Sequence, residues 1–252
     1  MEITLIQGIM LAVAAIIIGI DYWLEAFFIF RPLIVSTITG IILNDLTLGL
    51  KCGALIELSF AGLTPAGGTQ PPNPVLAGFM GTVLAFTTGA TPEAAVGLCL
   101  PFSFLMQYVV LFFYSAFSFF MSKLDKYAAD ADLAGIRRIN LTTITITALT
   151  YGLIVFLCTY VAQDAMVSFV NSLPEFVTNG LNVAGGVLPA VGFAMLLRVM
   201  MKAKYIPYFI AGFLMATYCE MSNLLPVALL GTCLLYTSQT SHKNQSQSLF
   251  YL

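Results

Sequence analysis

From Leu58 to Pro92 the chain runs for 35 residues without a charged side chain, and inside that run Ser59–Pro74 reads SFAGLTPAGGTQPPNP. The two facts pull against each other. A stretch so free of charge belongs in a core or a bilayer. Yet three glycines and four prolines in sixteen residues cannot continue one α-helix, because proline has no N–H to donate and its ring clashes with the preceding turn. Irregular backbone at membrane depth survives only where protein buries it or where it lines a wet cavity. Transporters put substrate at such interruptions, since the freed N–H and C=O groups can bind it.

The rest of the chain supports a bilayer. Charged residues make up 9% of the 252 and hydrophobic ones 59%, against about 25% charged in a soluble domain. Mean hydropathy is +0.93. The 13% aromatic content excludes disorder over most of the length, and a net charge of −2 removes nucleic acid as a partner. There is room for roughly seven to nine spans. Further uncharged runs cover Ile3–Ile20, Ala94–Ser122, Leu141–Gln163 and Phe176–Leu197, and Tyr205–Cys219 and Met221–Tyr236 flank Glu220 as a pair of helices. These runs are continuous rather than alternating, so helices are expected and a barrel is not. The fold class predicted is an all-α polytopic membrane protein. No Lys or Arg precedes the first run, which therefore reads as a retained span and not a cleaved signal. Lys123, Lys126, Arg137 and Arg138 form one basic segment, and Arg198, Lys202 and Lys204 another. Both fit the cytoplasmic side, with the acidic turn at 164–175 outside.

Glu57 lies just ahead of the broken segment, and an intramembrane carboxylate is costly enough to be a functional candidate. Its alternative is an interfacial role or a pairing with Lys51 or Arg31. Thr64, Gly67, Gly68, Thr69, Gln70 and Asn73 supply the neutral hydrogen-bonding groups and bare backbone that sugar hydroxyls would use. A second apolar run holds TNGLNVAGG at Thr178–Gly186, making Asn179 and Asn182 secondary candidates. A break in each half suggests an inverted repeat, although small residues serve tight helix packing equally well. Five cysteines stand singly, and the one histidine, His242, is in the polar tail. That pattern reads as small buried hydrophobes, with no metal site and no cofactor.

At these residues the sequence resembles the IIC permease component of the mannose-type sugar phosphotransferase system. The resemblance runs through FRPLIVSTITGIILNDLTLG (Phe30–Gly49), GALIEL (Gly53–Leu58) and PEFVTNGLNVAGG (Pro174–Gly186). IDYWLEAFFIFRP, AGLTPAGGTQPPNP, LPFSFLMQYVVLFFYSAFS and KYIPYFIAGF are most similar to the N-acetylgalactosamine/galactosamine branch. The resemblance implies soluble IIA and IIB proteins that carry phosphohistidines, and an oligomeric membrane complex with a IID component. It also implies an amino-sugar substrate, a bacterial inner-membrane location and a sugar site near the Pro/Gly-broken elements. Phosphorylation, and with it the enzymatic activity, is expected on the partners.

Two other classes remain open from the residues. An ion-coupled secondary sugar transporter would recruit Glu57, Asp45 or Glu220, and a membrane scaffold would need none of them. After Cys233 the chain changes to LLYTSQTSHKNQSQSLFYL. Residues 1–236 are therefore expected to form one permease domain, and 237–252 a polar tail foreign to it.

Overall fold

A computed structural model describes residues 2–63, 70–172, 174–218 and 225–248, with side chains at all of these except 166, 169–171, 178, 182 and 237–248. Among the described residues there are helices and no strands. They are α1 (Leu5–Leu24), α2 (Pro32–Ile42), α3 (Leu46–Phe60), α4 (Pro74–Thr88), α5 (Pro92–Phe117), α6 (Met121–Ala129), α7 (Leu133–Phe156), α8 (Gln163–Ser172), α9 (Glu175–Met200), α10 (Ile206–Tyr218) and α11 (Leu225–Ser248). Two compact units divide the chain, Met1–Leu196 and Leu197–Leu252. Four helical stretches are long and apolar enough to cross a membrane, while α2 and α4 are apolar but shorter.

Helix starts follow local chemistry. Thr4 and Gln7 form a capping box on α1, each satisfying a backbone N–H at the other's position. Asn73 and Thr91 cap α4 and α5, and in both cases proline follows at the first helical position, where its missing N–H costs nothing. Gly89, with φ +71°, ends α4 in the left-handed conformation that glycine adopts without penalty.

In the first unit α4 is the central helix. Val75, Leu76, Phe79, Met80, Val83 and Leu84 are all buried, and a helix apolar on every face is one surrounded by others. Helix α1 packs antiparallel to α7, with Gly19 against Tyr151 and Gly8 against Tyr160 in the π-helical turn at Leu157–Val161 that continues α7. The C-terminal end of α1 therefore lies at the end of this unit that carries the basic segment. Helices α2 and α3 form an antiparallel hairpin, whose turn at Asn44 (φ 62°) is capped by Asp45, which accepts from the Leu48 N–H at 2.9 Å. Its legs nearly touch: a Cβ on Gly40 would stand 2.7 Å from the Asp45 carbonyl oxygen and 2.8 Å from the Gly49 Cα. Alanine at Gly40 must splay the legs, and the expected cost is about 1–3 kcal/mol. Thermal unfolding of the purified variant would show it, and a wild-type melting point would disprove the tight packing.

The first predicted break is present, since α3 stops at Phe60 and α4 begins only at Pro74. The second differs from expectation: α9 runs unbroken through Thr178–Gly186. Asparagine and glycine lower helix propensity by about 1 kcal/mol or less each, which packing can override. A side chain at Gly185 would run into the Glu93 carbonyl, and one at Gly192 into that of Leu58. In α9 these glycines serve close approach. In the second unit α10 and α11 pack with Gly212 beside Val227. Glu220 lies outside the described residues.

Candidate functional site

The break in the backbone is held by α5. Ser103 and Gln107, one helical turn apart on the same face, reach across to it. The Asn73 N–H donates to the Ser103 carbonyl at 3.1 Å, and the Ser103 hydroxyl donates to the Asn73 carbonyl at 3.0 Å. The Gln107 amide donates to the Gln70 carbonyl. Backbone that has left a helix thus regains partners inside the protein, as burial requires. Asn73 is fully buried; its Oδ1 caps α4 through the Leu76 N–H at 3.0 Å, and its Nδ2 donates to the Tyr151 hydroxyl at 2.6 Å.

Beside this junction opens a cavity of about 530 Å³, with Gln70 in its wall. The Gln70 Nε2 donates to the Tyr22 hydroxyl at 2.7 Å. Aromatic rings form much of the rest, among them Tyr22, Trp23, Phe28, Phe30 and Tyr114. They support one another: Phe30 meets Tyr22 edge-on at 5.3 Å between centroids, and Trp23 lies 5.7 Å from Tyr114. Arg31, Glu25, Pro32 and Pro74 also line the cavity.

One wall is the loop between α1 and α2, and it is held in an unusual shape. Phe28 has φ 59°, a conformation that is costly for a bulky side chain and persists only where its surroundings impose it. Asp21 imposes it. Its buried carboxylate accepts from the Phe27 N–H through one oxygen and the Ile29 N–H through the other, both at 2.7 Å. Asp21→Ala removes both acceptors and is expected to release the loop, lowering sugar uptake about tenfold; Asp21→Asn, with one acceptor oxygen left, falls between. Equal uptake by all three proteins would separate the loop from the site.

The sequence candidates fare differently. Glu57 pairs with Arg31: its Oε1 accepts from Nε at 2.7 Å and also from Nη2, while its Oε2 accepts from the Leu33 N–H at 3.3 Å. Arg31, not Glu57, lines the cavity. Gln70 is in the wall, and Asn73 stands behind it as cap and clamp. Thr64, Gly67, Gly68 and Thr69 lie outside the described residues. Asn179 is exposed on α9, away from the cavity lining, and the Asn182 side chain lies outside the described residues. Asp45, a candidate of the ion-coupled reading, caps α3. Missed from sequence were Asp21 and the aromatic wall. The cluster Asp21-Tyr22-Trp23 with Phe27, Phe28 and Phe30 was the available signal. Among the described residues no three His, Cys, Asp or Glu side chains gather as metal ligands.

A family described as the sorbose-specific IIC component of the phosphotransferase system matches residues 5–237. The chain belongs to this family. It is 61% identical over 230 residues to N-acetylgalactosamine permease IIC component 1 of Escherichia coli K12, covering 91% of this chain and 86% of that one. Identity to the mannose-specific EIIC component of the same strain is 30% over 233 residues, covering 92% and 87%. A solved structure described only as a membrane protein superimposes with a TM-score of 0.85 at 27% identity, covering 95% of this chain and 97% of that one. The mannose transporter ManYZ, solved by cryo-electron microscopy in complex with microcin E492, gives 0.60 at 29% identity with the same coverage. The chain is thus a IIC permease component of a sugar phosphotransferase system and a multi-pass inner-membrane protein. The family match ends at residue 237, where the sequence turns polar.

Proposed function

We propose that this IIC protein translocates N-acetylgalactosamine or galactosamine, and that the aromatic cavity beside Gln70 is its sugar site. The observation that supports the site most is the make-up of the wall. Aromatic faces suit the C–H faces of a pyranose, and a few fixed polar groups among apolar ones are the usual composition of a small-molecule pocket. Gln70 and the Tyr22 hydroxyl are the nearest such groups. Glu57 contributes by fixing Arg31, and Asn73 by fixing the α4 start. Thr64, Gly67, Gly68 and Thr69, within six residues before Gln70 in the chain, are proposed as further ligands. The substrate class follows the 61% identical relative named for N-acetylgalactosamine.

The cavity adjoins the end of α1 that shares its side with Lys123, Lys126, Arg137 and Arg138, and basic loops stay in the cytoplasm. On this reading the sugar in the cavity faces the cytoplasm, where a IIB protein recharged by IIA phosphorylates it. A IID protein completes the membrane complex, and residues 237–252 lie outside the permease domain. Transport is driven by trapping, because phosphorylation adds about −1.5 to −2 charge. The test is uptake by membrane vesicles bearing the complex. Phosphorylated sugar should accumulate only with the phosphoryl donor, and Gln70→Ala should cut the rate about tenfold by removing the amide held to Tyr22. Unmodified sugar accumulating under a proton or sodium gradient would favour the ion-coupled reading instead.

A further inference from the structure

We propose that Glu25 makes the cavity a charge filter that turns away the phosphorylated sugar, so that product released to the cytoplasm does not re-enter. The inference rests on the cavity being the sugar site, and it starts from the cations and N–H donors that could receive an anion there. Arg31 is the cation of the wall, and its guanidinium is already engaged by Glu57. Two helices begin at the wall, and a helix N-terminus is ordinarily an anion site. Here both begin with proline, Pro32 and Pro74, which have no N–H. Of the donors behind them, Leu33 is held on Glu57 and Leu76 on Asn73.

What remains is negative. Glu25 lines the cavity, and among the described residues no cation lies within ion-pair distance of it. It caps the C-terminal end of α1, whose last turn holds no basic residue, so the negative end of the helix dipole adds to its field. Its own N–H donates to the Asp21 carbonyl at 2.7 Å and offers nothing to a ligand. A neutral sugar is indifferent to this field, an ammonium group is favoured by it, and a phosphate is repelled.

The test uses membranes containing the full chain and radiolabelled N-acetylgalactosamine. Unlabelled N-acetylgalactosamine, galactosamine and N-acetylgalactosamine 6-phosphate compete for it, so the ligand charge changes while the sugar is conserved. The 6-phosphate is expected to compete about tenfold more weakly than the neutral sugar, with the gap narrowing at high salt because Glu25 is exposed. Glu25→Gln should shrink that ratio to about twofold and weaken galactosamine relative to the neutral sugar, whereas Glu25→Asp should keep both ratios. Labelled sugar still bound by the variants reports that they have folded. Ratios identical in wild type and Glu25→Gln would overturn the filter while leaving the sugar site intact. No binding of labelled sugar to the wild-type chain would overturn the sugar site, and the filter with it.

Discussion

Sugar uptake is expected to fall about tenfold or more when either Arg31 or Glu57 is changed to glutamine, and to recover in part when the two charges are exchanged in Arg31→Glu/Glu57→Arg. The single changes hurt because each strands a charge. Breaking a fully buried pair costs about 3–5 kcal/mol. This pair is partly open, with side chains 41% and 21% exposed, so about 1–2 kcal/mol is the fitting figure after solvent screening. That is about tenfold in rate if it acts on the productive geometry. Glu57 also accepts from the Leu33 N–H at the start of α2 through its second oxygen, so Glu57→Gln loses the counter-charge and keeps a single acceptor oxygen for both partners. Uptake per unit of protein in the membrane is the measurement. Wild-type rates in both single variants would show that the pair has no part in transport.

Asn73→Ala is expected to be the most destabilising single change in the first unit. It removes the α4 cap, worth about 1 kcal/mol, and leaves the Tyr151 hydroxyl without its donor. Tyr151 is fully buried, and an orphaned buried polar group costs about 1–3 kcal/mol. A fall in melting temperature of about 8 °C would match the combined effect. The double variant Asn73→Ala/Tyr151→Phe provides the sharper check. Removing the orphan along with its lost partner should restore part of the stability, so the double variant should melt above Asn73→Ala alone. If the effects of the two changes simply add, the hydrogen bond between them contributes little.

The element pattern was legible in the sequence because membrane burial writes itself as uncharged runs, and because proline and glycine at 59–74 forbid a continuous helix. Glycine and asparagine at 178–186 are weaker signals. They permit a break without requiring one, and close packing against Glu93 and Leu58 keeps that helix whole. Gln70 was legible as a polar residue inside the break. Asp21 was not, since its role depends on the path of a loop that folds back on it, and no periodicity encodes that path. Glu57 shows the intermediate case: the cost of a carboxylate at depth is readable from composition, and Arg31 was one of the two partners the sequence offered. The choice of Arg31, 26 residues away, over Lys51 is a fact of the α2–α3 hairpin.

The hairpin also bears on how the membrane potential acts on this protein. A wet cavity reaching inward from one face thins the insulating layer, so the voltage falls across the dry remainder, where α4, Asn73 and Tyr151 are packed. An unpaired charge within that field would feel about 2.3 kcal/mol per 100 mV if it crossed the whole drop. The hairpin and its caps carry two charges of each sign, Arg31 with Glu57 and Asp45 with Lys51, so movement of the hairpin as a unit would do almost no electrical work. Transport rate should then be nearly independent of the voltage across the membrane, as suits a carrier powered by chemistry at its exit and not by the gradient around it.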